Sequence, residues 1–468
     1  MSTYPAQLIP IVRARCAELD RREHSKALPL PPDTALEGLL DVAFHASLLS
    51  EEGRRPGFTI TYIPASEDFS HPGRRYFDKE FRTIPFERPR PYSVSEINRL
   101  APATEPTRLL ICVQPAPEGK DTQLEIWGLL DIGENWWRFA HHETSGGKPP
   151  PNAITITSLS PGELVVSAQG QVLVRLCAGS VYLPETTALW SGPVSEFLAP
   201  SRQRLHDDAI ARLGVTCWDE EGHDEDFPQR LYVFFLERIL VKIRERKHGG
   251  MLVVVPNRLS RSETQIAGHV SIKYRSDYDC VWDTLLSRLA NQRRLHNLHL
   301  DLRKGAGNLS RATFHEYRML SDEKAEINEA MSDQSQAIAC LTSVDGAVVI
   351  NDQFAVMGFG AEVTAVSPIL THVMLHAEGQ PLRPVTIDSF GTRHRSAFRL
   401  CSTLEDAVVF VVSQDGGIKA VKRVGSTVIL WPDITPGKWA YAAPTRAPAT
   451  TVHSALCCET NESDWGGK

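Results

Sequence analysis

The chain has 468 residues, 42% hydrophobic and 23% charged, a length that predicts two or three domains and a composition ordinary for a globular protein. Its formal net charge of −7 argues against a nucleic-acid partner held by bulk electrostatics. No apolar run approaches the roughly 20 residues of a membrane helix, and the N-terminus MSTYPAQLIPIVRARC lacks the regions of a secretory signal, so a cytoplasmic protein without a membrane partner is expected.

Residues 33–53 read as a helix. Thr34 and Glu37 have capping-box spacing, Leu36, Leu39, Leu40 and Ala43 form a stripe, and Gly53 closes it. From about 57 to 183 the pattern is mostly strand, at Phe58–Ile63, Leu109–Val113, Leu124–Leu130, Ala153–Ile156, Leu164–Val166 and Val172–Leu176. Turn residues at Ser160-Pro161-Gly162 and Gln169-Gly170 separate strands, and the Pro-rich stretches 84–92 and 148–151 read as loops. Residues 1–200 are therefore expected to form a β-rich α+β domain, followed by a connecting helical segment at 201–227.

Asp226, Phe227 and Pro228 look like a helix entrance, and Leu236, Ile239, Leu240 and Ile243 share one face. Arg244, Arg246 and Lys247 suit a basic last turn before Gly249-Gly250. Met251–Val255 and His269–Lys273 read as strands, and Ser276–Leu289 as a helix with Val281, Leu285 and Leu289 on one face. Residues 290–310 lack apolar periodicity and suggest an insertion, with a charged helix at 311–333. Val348–Ile350 and Phe354–Met357 flank Asn351-Asp352 and predict a hairpin. A helix should begin at Gly391-Thr392, followed by strands at Ala407–Val412, Ile418–Val421 and Val428–Leu430. Residues 432–468 are expected as a flexible tail.

Nine cysteines without a C-x-x-C pair argue against a zinc ribbon and fit a reducing compartment. Cys340 and Cys401 lie in apolar segments and are expected in the core, whereas Cys457-Cys458 lie in the polar tail.

Two motifs carry chemistry. A lone Asp-Gly is ordinarily a turn, but Asp345-Gly346-Ala347 runs straight into a strong strand. The small residues would let a nucleotide approach the backbone, and Asp345 can hold a divalent cation or a ribose hydroxyl. In Gly391-Thr392-Arg393-His394-Arg395, arginines on a helix surface would ordinarily be solvated. At a helix N-terminus, however, they oppose the macrodipole, a placement an intervening anion would relieve. Guanidinium groups there suit phosphate. Other candidates are weaker. His141-His142-Glu143 and His372/His376 have metal-like spacing without further ligands, His296 and His299 read as solvated, and Gly358-Phe359-Gly360 is too short for a dinucleotide fingerprint. Trp127, Trp136, Trp137 and Trp190 read as core or surface of the fold.

The segments TSVDGAVVINDQFAVMGFGAE, FGTRHRSAFRL and EDAVVFVVSQDGGIKAV together resemble the diadenylate cyclase domain of bacterial cyclic di-AMP synthases. KHGG, MLVVVP and SIKYRSDYDCVWDTLLSRLA look like its earlier elements, so the resemblance covers about residues 228–431, with extra length near 290–335. LLDVAFHASLLSEEGR is similar to a probable sensor domain found fused to such cyclases, with no ligand specified. The resemblance implies an α/β domain with a mixed central sheet flanked by helices. It implies that two ATP molecules, held by self-associating domains, become cyclic di-AMP and two pyrophosphates with Mg²⁺ or Mn²⁺.

Carried over, Asp345 is the catalytic carboxylate and a metal ligand; Gly346, Ala347 and Gly360 line the nucleotide. Thr392, Arg393, His394 and Arg395 hold phosphates, Ser413 ends the core strand near them, and Asp415 is a second metal ligand. The chain departs from the family at Ser413-Gln414-Asp415, where Ser-Glu-Glu is usual, and it has one extra residue between Arg395 and Ser413. A cyclase-like domain that binds ATP or a cyclic dinucleotide with little turnover is the alternative reading, and a non-catalytic interaction scaffold is another.

Overall fold

A computed structural model of the chain describes residues 4–22, 28–49, 57–66, 81–104, 108–116, 123–132, 151–158, 161–168, 171–177, 179–183, 188–218, 226–260, 266–304, 311–365, 371–374, 382–414, 417–432 and 434. The expected tail from 435 onward, with Cys457-Cys458, lies outside them, as does Gly53. Among the described residues no helix is long and apolar enough to cross a membrane.

The N-terminal unit contains α1 (Ile9–Arg22), α2 (Asp33–Leu48), β1 (Phe58–Tyr62), β2 (Arg82–Pro91), α3 (Val94–Leu100), β3 (Leu109–Pro115), β4 (Leu124–Asp131), β5 (Ile154–Ser158), β6 (Glu163–Ala168), β7 (Gln171–Cys177) and β8 (Ser180–Tyr182). Its eight strands form one mixed sheet in the order β2-β4-β3-β1-β5-β6-β7-β8, with β1 and β3 parallel. One face, with Ile60, Ile111, Ile156 and Val166, buries Leu36, Leu39 and Leu40 of α2 together with Val12 and Cys16 of α1. The β-rich expectation holds, with two corrections. Pro32 is the N-cap of α2 and its carbonyl accepts from Leu36 N at 2.9 Å, so Thr34 sits inside the first turn and makes no capping box. The stretch 84–92 belongs mostly to β2. Its prolines are tolerated because β2 is an edge strand among the described residues, pairing there only with β4, and the register breaks between Pro85 and Arg90.

The C-terminal unit begins earlier than its motifs suggest. It contains α4 (Gly192–Leu213), α5 (Phe227–Glu245), β9 (Gly250–Val255), α6 (Asn257–Ser260), β10 (Val270–Tyr278), α7 (Val281–Lys304), α8 (Arg311–Leu341), β11 (Ala347–Asn351), β12 (Val356–Val363), β13 (Thr371–Met374), β14 (Leu382–Pro384), α9 (Thr392–Thr403), β15 (Val408–Val412), β16 (Ile418–Val424) and β17 (Thr427–Trp431). The nine strands form a mixed sheet in the order β10-β12-β11-β9-β15-β16-β17-β13-β14. Every residue of β9, β11 and β15 is buried, because helices cover both faces. One face packs Leu252, Val254, Val348 and Phe410 against α5 and its neighbours. The other packs Val253, Val349 and Val411 against Ala397, Phe398 and Leu400 of α9.

The sequence expectations fail where tertiary contact decides. Residues 201–227 are not only a connector: Leu205 and Ala209 continue the buried stripe of Val194 and Leu198, so α4 packs into the same core as α5. The expected insertion at 290–310 is largely the end of α7, which pairs with α8. Asn291 Nδ2 donates to the Leu320 carbonyl at 2.9 Å, and Leu295, Leu298 and Leu320 form a small cluster of their own. β10 runs on to Tyr278, opposite Val356, so α7 starts at Val281 rather than near 276. Cys340 is exposed, with the Arg246 guanidinium 3.2 Å from its sulfur, whereas Cys401 is buried and its thiol is pushed up to about 12 by burial. The hairpin forms as expected. Asn351 Oδ1 closes it by accepting from Gln353 N and Ala355 N at 3.0 and 2.9 Å.

Candidate functional site

Both chemistry-bearing motifs lie at one end of the C-terminal sheet, where β9 and β11 begin and β15 ends. Parallel β9 and β11 start side by side, with Val348 opposite Leu252, while antiparallel β15 brings Val412 opposite Gly250. Between α5 and β9 the chain turns through Gly249, whose φ of +72° is in the left-handed region.

The turn before β11 packs against this glycine pair. A Cβ at Gly250 would stand 2.7 Å from Cβ of Thr342. Thr342 Oγ1 donates to the Ala339 carbonyl at 2.7 Å, and Arg246 Nε donates to Ser343 Oγ at 3.0 Å, which ties the turn to the end of α5. Asp345 follows, exposed at the surface, and no described residue forms a hydrogen bond or ion pair with its carboxylate. Gly346 has φ +111°, and a Cβ there would lie 2.7 Å from the carbonyl carbon of Gly360 and 2.8 Å from Ala361 N. On that side, β12's own backbone uses the space expected for a nucleotide, although Gly346 stays exposed on its other side. Ala347 is only 1% exposed and belongs to the core. Gly360, with φ +62°, is covered by the Tyr274 ring, whose nearest atom would be 3.2 Å from an added Cβ.

On the other flank, α9 has Gly391 as an N-cap that contributes no side chain, and its backbone bonds begin with Arg395 N to Gly391 O at 3.1 Å. Gly391 therefore offers no side-chain acceptor to the first N–H groups of the helix, those of Thr392 and Arg393. Thr392 is exposed; Arg393, His394 and Arg395 are half-buried. The His394 ring lies against Phe390, with centroids 5.6 Å apart. No described residue gives Arg393 or Arg395 a hydrogen bond or an ion pair. Arg393 reaches back to the end of β15. A Cβ at Gly249 would be 3.1 Å from its Nη1, 2.8 Å from the Val412 carbonyl oxygen and 3.3 Å from Gln414 N. Gly249-Gly250 thus stands between the two motifs, touching the Thr342 turn on one side and Arg393 on the other. In the sequence this pair reads only as a helix stop; its further signal is two successive glycines at the mouth of a buried strand.

Ser413 is half-buried and its N–H donates to the Gly417 carbonyl at 2.8 Å, while Gln414 is exposed and Asp415 lies outside the described residues. Among the described residues no group of three or more His, Cys, Asp or Glu could hold a metal ion. His141-His142-Glu143 and His376 lie outside them, as does the side chain of His372. His299 packs on Tyr317, with ring centroids 5.7 Å apart. Trp127 is a core residue whose indole N–H donates to the Ile63 carbonyl at 2.7 Å, and Trp136 and Trp137 lie outside the described residues. Trp190 donates to Glu237 at 3.3 Å; burial pushes that carboxyl up to about 8. A separate groove of about 510 Å³, lined by residues including Ile272, Arg275, Asp279 and Met357, runs along β10 and β12, and neither motif is among its described lining residues.

An exposed carboxylate, and two cations at the start of a helix with no acidic partner among the described residues, suit a polyanionic ligand. If these cations receive a polyphosphate such as ATP, Arg393→Ala and Arg395→Ala should each weaken its binding more than about tenfold, since a charge-assisted bond is worth roughly 1.5–3 kcal/mol. Both variants should melt like the parent, because neither side chain pairs with a described residue. Titration calorimetry with unchanged affinity would return both arginines to the solvated surface.

Residues 25–131 match the family described as Probable sensor domain DACNV, a span that takes in α2 through β4 of the N-terminal unit. No curated protein and no solved structure matches the chain.

Proposed function

We propose that the C-terminal unit is a diadenylate cyclase, condensing two ATP molecules into cyclic di-AMP and two pyrophosphates, with the N-terminal unit as its sensor. The observation that carries this reading is that Asp345, just before β11, and Arg393, which lies against Gly249 just before the neighbouring β9, stand at one end of the same sheet. The sensor-domain match at 25–131 supports it, since such domains are found fused to these cyclases.

In this reading the ribose 3′-hydroxyl of one ATP attacks the α-phosphate of the other. The P–O bond to the pyrophosphate breaks as the new ester forms, and the hydroxyl proton is lost. The Asp345 carboxylate accepts the hydrogen bond from that hydroxyl and favours the loss of its proton. Arg393, Arg395 and the first N–H groups of α9 hold the phosphates and offset charge gathering on the leaving group. Mg²⁺ or Mn²⁺ fits this donor set, because such ions are commonly held by one or two carboxylates plus substrate phosphates rather than by a closed protein cage. Asp345 would hold it, with Asp415 as a second ligand, and it would supply charge neutralisation during the displacement.

Purified protein incubated with ATP and Mg²⁺ or Mn²⁺ should yield cyclic di-AMP and pyrophosphate on product analysis. The second reading is an ATP or cyclic-dinucleotide sensor with little turnover. It is favoured by Gln414, a neutral, exposed side chain beside Ser413 where the family usually has Glu. Tight ATP binding with no cyclic product would decide for it.

One site holds one ATP while the product joins two reciprocally, so productive encounters require two sites facing across a two-fold axis. Specific activity of the full chain should therefore rise with protein concentration. A rate per molecule that is flat over a thousandfold dilution, with only monomer seen by light scattering, would exclude reciprocal catalysis.

A further inference from the structure

Resting on the phosphate-binding reading of Arg393, we infer that Gly249 is a positioning residue of the ATP site, holding open the space in which the Arg393 guanidinium lies against the end of β15. Two separate demands fall on this residue. Its φ of +72° lets the chain turn sharply from the end of α5 into β9, a demand that Asn can also meet. The second demand is clearance, and only glycine meets it. An added Cβ would stand 2.8 Å from the Val412 carbonyl oxygen and 3.1 Å from Arg393 Nη1. The carbonyl belongs to a fully buried strand paired on both sides and has little freedom to move. The Arg393 guanidinium is the far end of a flexible side chain with no described hydrogen-bond partner, so it gives way first.

The effect is directional. Without a side chain at 249, the Arg393 guanidinium has room to lie against Gly249, at the mouth between β9 and β15. A cation already lodged there has less far to move when a phosphate arrives, which is how preorganisation raises affinity. The neighbouring Gly250 meets Thr342 rather than Arg393, so the two glycines serve opposite flanks of the site.

A double-mutant cycle in the full chain tests this, using 3′-deoxy-ATP as a probe that lacks the attacking hydroxyl. Affinity is measured for the parent, Gly249→Ala, Arg393→Ala and the double variant. Arg393→Ala should weaken binding more than about tenfold, Gly249→Ala by a comparable factor, and the double variant no further than Arg393→Ala alone. Gly214→Ala controls for backbone strain, since Gly214 has φ +65° with nothing within 4 Å of an added Cβ, and it should leave affinity unchanged. Gly249→Asn relaxes the strain but keeps the obstruction, so it should bind as weakly as Gly249→Ala and stands in for it if that variant does not fold. Parent-like affinity of the position-249 variants while Arg393→Ala is weakened would overturn the inference and leave the phosphate reading standing. So would a Gly249→Ala loss that persists in full in the Arg393→Ala background. Parent-like affinity of Arg393→Ala itself would overturn the phosphate reading, and the inference with it.

Discussion

Asp345→Asn is expected to reduce cyclic di-AMP formation at least about a hundredfold, the range in which a positioned proton acceptor contributes, while leaving the fold intact. The substitution keeps the size and shape of the side chain and removes one charge. Stability should change by no more than about 0.5 kcal/mol, the usual range for surface positions, because Asp345 is exposed and no described residue pairs with it. The chemistry is far less tolerant. An amide neither attracts the proton of the attacking hydroxyl nor binds a hard cation as a carboxylate does. The check is a product assay beside a melting curve. Wild-type turnover by a normally folded variant would remove Asp345 from the reaction, and loss of both fold and activity would show that the carboxylate supports the turn before β11.

Much of the C-terminal unit was legible because its strands are buried on both faces and read as unbroken apolar runs. Val408–Val412 and Ala347–Asn351 could hardly be anything else, and Asn351 marked the hairpin by its turn chemistry. The start of α9 was legible from Gly391 for the same reason that Arg393 and Arg395 stood out, since cations at that place need an explanation. What was hidden depends on partners distant in sequence. The prolines of β2 signal a loop unless the strand is known to be at an edge. Val194, Leu198, Leu205 and Ala209 give α4 a stripe, but only packing on α5 shows to which unit it belongs. α1 has a helical spacing of Val12, Cys16 and Leu19, all buried, but its apolar positions are too few and too mixed with Arg and Glu to stand out before the sheet they cover is known. Glycine roles were the hardest. Gly249, Gly346 and Gly360 look alike in sequence, and the atoms that crowd them come from segments 14 to more than 160 residues away.

Gly346→Ala is therefore expected to be a folding variant before it is a nucleotide-site variant. At φ +111° an alanine is held in a region L-residues avoid, a strain of about 1–3 kcal/mol. Its Cβ would also meet the Gly360 carbonyl carbon at 2.7 Å and Ala361 N and O at 2.8 Å, backbone atoms that cannot rotate away. Overpacking of that kind adds roughly another 1–3 kcal/mol. The sum is a large part of the 5–15 kcal/mol that typically separates folded from unfolded. The described residues form two sheets, so a single global midpoint is a poor measure. Hydrogen exchange of the β11 and β12 amides, without nucleotide, reads the effect locally. Gly425→Ala is the control, with a left-handed φ of +59° but nothing within 4 Å of its added Cβ, and it should show only the smaller strain cost of roughly 1–2 kcal/mol. If Gly346→Ala protects β11 and β12 as well as the parent does and loses only ATP affinity, the backbone of β12 is not what requires glycine. The nucleotide would then be the neighbour for which position 346 is kept bare.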